Sequence, residues 1–161
     1  MPAVYVAAGS NVEPQKHLAL AVSELRRTFP GARFSPWYRN TAVGFEGDDF
    51  INLVAGFDTQ LTLPELLPRL HAIETLCGRP RGAPRWAPRS MDLDVLLYGD
   101  FVGEVPGVRV PRPDLLKRAY MLGPLAALAP EVVHPVEHRT IGELWQSFDR
   151  AAHPLIALPP G

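Results

Sequence analysis

Two acidic residues near the middle of the chain have a spacing that could support metal chemistry. Asp92 and Asp94 are separated by one residue, and in a strand side chains alternate between the two faces. Their carboxylates would therefore point the same way, with Cβ atoms roughly 6–7 Å apart. The alternating apolar residues would form the buried face: Met91, Leu93 and Val95. Magnesium usually binds through one or two carboxylates plus substrate phosphates, so the pair could serve as a magnesium site.

The segment before this pair is basic and contains no acidic residue between Glu74 and Asp92. Three prolines interrupt it, and four arginines lack a nearby acidic partner: Arg79, Arg81, Arg85 and Arg89. Guanidinium groups bind phosphoryl oxygens in bidentate fashion and neutralise charge on a transferring group. The basic segment and the carboxylate pair together indicate chemistry on a nucleoside triphosphate. For the aspartate pair alone, the alternative to metal binding is that both carboxylates lie on the solvent-exposed face of an edge strand.

Composition limits the classes of protein to consider. A chain of 161 residues predicts a single domain over 1–161, with a core of its own. The formal net charge of −1 argues against a general nucleic-acid-binding protein. Cys77 is the only cysteine, which excludes an internal disulfide and fits a reducing cytoplasm. No apolar stretch reaches the ~20 residues of a membrane span or forms a signal peptide, so we expect a cytoplasmic protein without a membrane partner.

Hydrophobic periodicity predicts strands and helices along the first half of the chain. The predicted strands cover residues 3–8, 33–39 and 50–58, and the predicted helices cover 14–29 and 63–77, the second with Thr62 as N-cap. Residues 40–49 lack periodicity and are predicted to form a loop. Pro36 places the second strand at an edge or a bulge. In the third strand Asn52 shares a face with Phe50 and Val54, so its amide needs hydrogen-bond partners.

The second half of the chain predicts shorter elements. After the strand that carries the aspartates, Gly99 and Asp100 predict a turn and residues 108–110 a return strand. Prolines punctuate short helices through Lys117 and at about 122–128, a capping box at 140–143 opens a last helix, and 153–161 is predicted to be a loosely ordered tail. Strands and helices without strict alternation favour an α+β sandwich around one mostly antiparallel sheet.

The segment RWAPRSMDLDVL at 85–96 carries a specific family resemblance. Further matching segments are VYVAAGSN at 4–11, FIN at 50–52, IE at 73–74, RAYML at 118–122 and APE at 129–131. With these motifs the sequence resembles the 6-hydroxymethyl-7,8-dihydropterin pyrophosphokinases of folate biosynthesis. The resemblance implies a ferredoxin-like three-layer α/β/α sandwich and transfer of pyrophosphate from ATP to a reduced pterin alcohol. It also implies two magnesium ions, held by Asp92 and Asp94, and we expect a monomer.

The resemblance assigns roles to individual residues. The implied catalytic residues are Arg79, Arg89, Asp92 and Asp94. The implied pterin pocket has Phe50 and Tyr120 stacking on the ring and Asn52 bonding its edge, together with Thr41 and Val43. The implied ATP contacts are His71, Glu74, Arg81, Trp86, Val95, Arg109, Arg112 and Arg118, with Trp86 as a lid. Where the family has a histidine between two prolines, this chain has Arg112.

Two other functions combine some of the same features. A magnesium-dependent nucleotidyltransferase also joins a glycine-serine turn to a D-x-D strand, but there the two motifs lie close in sequence, whereas Ser10 and Asp92 are far apart here. An RNA-binding domain presents aromatic residues on a sheet, but near-neutral charge and the acidic pair argue against it.

Overall fold

The computed structural model describes residues 1–40, 50–77 and 91–158. Six residues with predicted roles lie outside these ranges: Thr41, Val43, Arg79, Arg81, Trp86 and Arg89. Within the described ranges no helix is long and apolar enough to cross a membrane.

The secondary structure follows most of the predicted elements. The strands are β1 (Ala3–Ser10), β2 (Arg33–Phe34), β3 (Tyr38–Asn40), β4 (Phe50–Asp58), β5 (Asp92–Tyr98), β6 (Gly103–Val105), β7 (Val108–Val110) and β8 (Ile156–Ala157). The helices are α1 (Pro14–Thr28), α2 (Leu63–Leu76), α3 (Ala119–Leu128) and α4 (Ile141–Gln146), with a 3-10 helix at Pro113–Leu116. The predicted capping roles of Thr62 and Thr140 are confirmed, because each threonine accepts the backbone N–H of a glutamate three residues on.

One antiparallel sheet organises the chain. Its strand order is β5-β1-β4-β3-β8, and β2 also pairs with β4. Every pair in it is antiparallel, whereas β6 and β7 form a separate hairpin. The predicted α+β class with an antiparallel sheet is therefore confirmed.

Apolar side chains form two separate cores. In the first, α1 and α2 contribute Leu18, Leu25, Leu66 and Leu70, which pack with apolar residues of β1, β4 and β5. In the second, α3 and α4 contribute Leu122, Leu125, Ile141 and Leu144. The sheet therefore buries side chains against two helix pairs, and this explains why β1 and β4 are apolar at nearly every position.

A β-bulge interrupts the alternation of side chains in β5. Tyr5 of β1 pairs with Leu97 but the next residue, Val6, pairs with Val95, so Leu96 is the extra residue. Leu96 and Leu97 both lie in the second core as a result. The period-two argument for Asp92 and Asp94 holds because both aspartates precede the bulge.

The strand predicted at 33–39 is split at Pro36 into β2 and β3. A proline cannot donate a sheet hydrogen bond, and Ser35 compensates at the break. Its backbone N–H donates to Val54 O at 2.8 Å, and its buried Oγ accepts the N–H of Val54 at 2.9 Å. The side chain thus replaces a missing backbone acceptor.

Two boundary predictions were wrong. Asn40, predicted to begin a loop, is the last residue of β3 and pairs with Phe50. Part of the tail predicted to be loosely ordered forms β8, which pairs with Tyr38 and Arg39. Both residues of β8 are exposed, so backbone pairing holds this segment and hydrophobic periodicity gave no signal for it.

We expect Ser35→Ala to lower the free energy of unfolding by about 1–3 kcal/mol, because the buried Val54 N–H would lose its acceptor. Urea denaturation followed by circular dichroism measures this. Ser23→Ala, on the exposed side of α1, is the control and should change little. Equal midpoints for Ser35→Ala and the parent protein would show that Val54 finds another acceptor.

Candidate active site

A cavity of about 240 Å³ lies between the sheet and the start of α3. The described residues that line it are Ala7, Ala8, Gly9, Asn40, Phe50, Asn52, Asp92, Asp94, Arg112, Asp114, Tyr120 and Met121. They come from β1, β3, β4, β5, the 3-10 helix with its preceding residue, and α3. Six of the residues with predicted roles therefore meet at one cavity: Phe50, Asn52, Asp92, Asp94, Arg112 and Tyr120.

Small residues of β1 form the sheet side of the cavity beside the aspartates. Ala7 pairs with Asp94 and Gly9 with Asp92. On its other edge Gly9 pairs with Asn52, and a Cβ at Gly9 would lie 2.6 Å from Asn52 Oδ1. Position 9 therefore accepts only glycine without displacement of the Asn52 amide.

Arg112 is the cation nearest to the aspartate pair in the described part of the chain. Its Nη1 lies 3.5 Å from Asp94 Oδ1, and the two side chains are 30% and 34% exposed. Its backbone N–H donates to Leu96 O at 2.9 Å, which ties this segment to β5. Within the described residues its Nε is buried without a hydrogen-bond partner. The guanidinium therefore retains a donor for another group.

Glu74 of α2 supports β5 from the edge that faces away from β1. Glu74 is 3% exposed, and its Oε2 accepts the N–H of Leu93 at 2.8 Å. Its Oε1 lies 2.9 Å from His71 Nδ1, and the His71 side chain is 66% exposed. Because Leu93 lies between Asp92 and Asp94, this contact fixes the backbone that carries both aspartates.

The amide of Asn52 has the hydrogen-bond partner that its burial requires. Asn52 is 5% exposed, and its Nδ2 donates to Asn40 Oδ1. Its Oδ1 lies beside Gly9, and both residues line the cavity. Asn52 therefore brings a polar amide to the cavity wall.

Aromatic residues lie on two different elements of the cavity wall. Phe50 begins β4, and Tyr120 lies in the first turn of α3. Burial raises the pKa of the Tyr120 hydroxyl above its ordinary value, and the nearby Asp114 and Asp94 add to that rise, whereas Arg118 and Arg112 oppose it. Tyr120 therefore remains neutral near pH 7 and offers an apolar ring with a polar tip.

Five residues with predicted ATP contacts do not line this cavity. Val95 is buried in the first core, Glu74 and His71 form the α2 contact described above, and Arg118 caps the start of α3. Arg109 instead lines a second cavity, of about 530 Å³, which shares Arg112 with the first. Their ATP contacts stay predictions.

Sequence reasoning missed several residues of the cavity: Ala7, Ala8, Gly9, Asn40, Asp114 and Met121. Gly9 and the alanines belong to a strand that was recognised, but only pairing with β4 and β5 reveals their position. Asp114 carried a weak signal as an acidic residue within the proline-rich segment 111–114. Asn40 had been assigned to a loop and not to the end of β3.

Comparison with known families agrees with this arrangement. The family model described as 7,8-dihydro-6-hydroxymethylpterin-pyrophosphokinase (HPPK) matches residues 5–130. The chain belongs to this family. The predicted membership is therefore confirmed, and the match spans every described residue that lines the cavity.

Curated relatives carry the corresponding enzyme name. A 2-amino-4-hydroxy-6-hydroxymethyldihydropteridine pyrophosphokinase from Pseudomonas aeruginosa is 41% identical over 137 residues, covering 82% of this chain and 83% of the relative. The enzyme of that name from Haemophilus influenzae is 35% identical over 165 residues, covering 99% of this chain and 100% of the relative. The similarity to the Haemophilus influenzae enzyme thus extends over essentially the full length of both chains.

Solved structures of the family share the fold at low sequence identity. Plasmodium falciparum HPPK-DHPS wild type with SDX-DHP matches with a TM-score of 0.71 and 13% identity, over 91% of this chain and 43% of that chain. The same protein with pteroate matches with a TM-score of 0.72 and 12% identity, over 91% of this chain and 44% of that chain. This chain therefore spans less than half of those two-part proteins, and at this identity the likeness shows the fold alone.

We expect Glu74→Ala to lower the free energy of unfolding by about 1–3 kcal/mol, because the buried Leu93 N–H would lose its acceptor. Glu74→Gln keeps an oxygen that can accept the Leu93 N–H, so it should lower the free energy of unfolding by less than Glu74→Ala does. His71→Ala, which removes only an exposed partner, is the control and should change stability by less than about 0.5 kcal/mol. Urea denaturation measures all three, and similar losses for the alanine variants would refute a special role for the Leu93 contact.

Proposed function

We propose that this cavity is the active site for pyrophosphate transfer from ATP to the hydroxymethyl group of 6-hydroxymethyl-7,8-dihydropterin. The hydroxyl oxygen attacks the β-phosphorus of ATP, the bond from that phosphorus to the oxygen bridging to the α-phosphate breaks, and the hydroxyl proton is released. The products are AMP and the pterin diphosphate. The observation that carries the proposal is that paired carboxylates and an amide-aromatic wall meet in one cavity of a chain that belongs to this family.

The pterin ring occupies the end of the cavity formed by β4 and α3. Phe50 and Tyr120 stack on its faces, and each aromatic contact adds roughly 0.5–1.5 kcal/mol beyond burial. Asn52, which lines the cavity, bonds the polar edge of the ring through its side-chain amide. By resemblance Thr41 and Val43 complete this pocket.

The triphosphate lies at the end formed by β5 and Arg112. Arg112 uses its unpaired Nε and its fork of N–H groups to hold phosphoryl oxygens. By resemblance Arg79 and Arg89 act on the transferring group and Arg81, Trp86 and Arg118 on ATP. The remaining ATP contacts by resemblance are His71, Glu74, Val95 and Arg109.

The donor set of the site suits magnesium. Among the described residues no three His, Cys, Asp or Glu side chains converge to hold a metal by themselves. Asp92 and Asp94 supply two carboxylates on one strand face, which is the number that magnesium takes when phosphates provide further ligands. When bound there, two magnesium ions neutralise charge on the phosphoryl oxygens. The protein's own contribution is to hold the carboxylates, the ring and the triphosphate in register.

The order of helices and strands also supports the ferredoxin-like fold that the resemblance implies. If β2 and β3 are counted as one interrupted strand, the elements run β-α-β-β-α-β from β1 to β5. That order is the one of ferredoxin-like folds, and the two cores lie against different helix pairs. We therefore assign the chain to a ferredoxin-like three-layer sandwich.

The activity is tested by incubating the protein with ATP, magnesium and 6-hydroxymethyl-7,8-dihydropterin and separating the products. We expect AMP and the pterin diphosphate in equal amounts. Asp92→Asn and Asp94→Asn should each lower turnover by about 10²-fold or more, because each removes one of the two carboxylates proposed to hold magnesium against the phosphates. Asp100→Asn, in the exposed turn after β5, is the control and should remain active.

Two results would contradict these assignments. Release of free pyrophosphate with a pterin-AMP product would identify a nucleotidyltransferase. Near-normal turnover of a folded Asp92→Asn or Asp94→Asn variant would remove the carboxylate pair from the mechanism.

We expect Arg112→Gln to bind divalent cations more tightly in the absence of nucleotide, by about 3-fold to 10-fold. The reason is that the Arg112 guanidinium and a metal ion compete for Asp94, and like charges close together repel. Isothermal titration with magnesium or manganese measures the change. Arg27→Gln removes the same charge at the end of α1, where Arg27 pairs with Glu24, and should leave the affinity unchanged. An unchanged or weaker affinity of Arg112→Gln would show that the ion pair does not oppose metal binding.

A further inference from the structure

A buried histidine closes the turn at 134–139, which precedes α4. His134 is 3% exposed, and its Nδ1 accepts the backbone N–H groups of Val136 and Glu137, each at 3.1 Å. In the described part of the chain neither of these N–H groups donates to a backbone carbonyl. Both therefore depend on the imidazole for an acceptor.

Backbone contacts of the same histidine complete the turn. The N–H of His134 donates to Arg139 O at 2.9 Å, and the His134 carbonyl accepts the N–H of His138 at 2.9 Å. His138 adopts a left-handed backbone conformation with φ 57°, which reverses the chain. The main chain and the side chain of one residue thus organise the whole turn.

The two contacts of Nδ1 define the protonation state of the ring. A backbone N–H can only donate, so Nδ1 carries no proton and accepts from both. Rotation of the ring by half a turn would place a carbon against two donors, so the contacts also exclude the flipped ring. His134 is therefore neutral, with its proton on Nε2.

The surroundings of His134 do not favour a charged ring. Burial lowers the pKa of the His134 imidazole below its ordinary value, and His138 adds to that shift, whereas Glu137 opposes it. His134 and Glu137 also line the second cavity. Three further charged residues line that cavity: Glu104, Arg109 and Arg112. The two guanidinium groups outnumber the one carboxylate, so the hairpin and the segment before the 3-10 helix do not favour an imidazolium either.

We infer that the turn at 134–139 is a pH-sensitive switch, locked by neutral His134 and released when that residue is protonated. A second proton can bind the ring only at Nδ1, where it replaces the acceptor of two N–H groups with a third donor. The imidazolium therefore loses both contacts, and the turn loses the side chain that closes it. Because this turn supplies part of the wall of the second cavity, protonation loosens that wall. The switch does not depend on the proposed function.

The direction of the pH dependence follows from the lowered pKa. The neutral ring stabilises the closed turn, so its contribution is fully present above the ordinary histidine pKa of about 6.5. That contribution is lost as the pH falls from there through the lower pKa of the closed turn. Each opening takes up one proton within this window, so the opening constant should rise about tenfold for each pH unit.

Solvent exchange of backbone amides, measured by NMR on the full chain without ligands, tests the switch. Between pH 7.5 and pH 5 we expect the protection factors of the Val136 and Glu137 amides to fall about tenfold for each pH unit below about 6.5. At pH 7.5 a long-range nitrogen-proton correlation spectrum should show the His134 proton on Nε2. A proton on Nδ1, or protection that does not change with pH, would overturn the inference.

Three variants separate His134 from its titrating neighbours. His134→Asn places an oxygen where Nδ1 lies and does not titrate, so it should keep the protection and lose its pH dependence. His134→Ala removes the acceptor and should lower the protection about tenfold already at pH 7.5. His138→Asn is the control, because asparagine tolerates the left-handed conformation, and it should keep the parent pH dependence. If His134→Asn keeps that dependence, or if His138→Asn loses it, His134 is not the switch.

Discussion

The candidate site depends on holding the two negatively charged aspartates side by side on β5, a strand at the edge of the sheet. Asp92 and Asp94 repel each other, and β5 has a strand neighbour on one edge only in the described part of the chain. Backbone pairing with β1 fixes that edge, and the Glu74 carboxylate binds the Leu93 N–H on the other. Arg112 lies close enough to Asp94 to offset part of the repulsion. The backbone that carries the two carboxylates is therefore held on both edges of β5.

Features that depend on neighbours in sequence could be predicted. The shared face of Asp92 and Asp94 follows from a two-residue period, and the caps at Thr62 and Thr140 follow from a glutamate three residues later. Features that depend on a partner strand could not be predicted from the sequence. The bulge at Leu96 arises from the register between β1 and β5, and the role of Ser35 arises only because Val54 lies opposite the break at Pro36.

The same division explains which parts of the candidate site were foreseen. Asn52 was identified as a buried amide from its strand alone, but its partner Asn40 comes from another strand whose end was misplaced. Glu74 was expected to contact ATP by resemblance alone, and no signal in its own helix indicated that packing against β5 would bury it almost completely. Roles assigned to the arginines of 79–89 come from family resemblance and stay predictions, because those residues lie outside the described ranges.

Gly9 connects the two chemically different ends of the cavity. It pairs with Asn52 on one side and with Asp92 on the other, so two strand separations set these residues roughly 10 Å apart. That spacing is fixed by backbone hydrogen bonds and does not depend on side-chain conformation. In the proposed function, a flat bicyclic ring that bonds the Asn52 amide at one end can place a substituent at its other end near the aspartates. The sheet sets the distance between the Asn52 amide and the carboxylate pair, and the glycine at the midpoint adds no side chain between them.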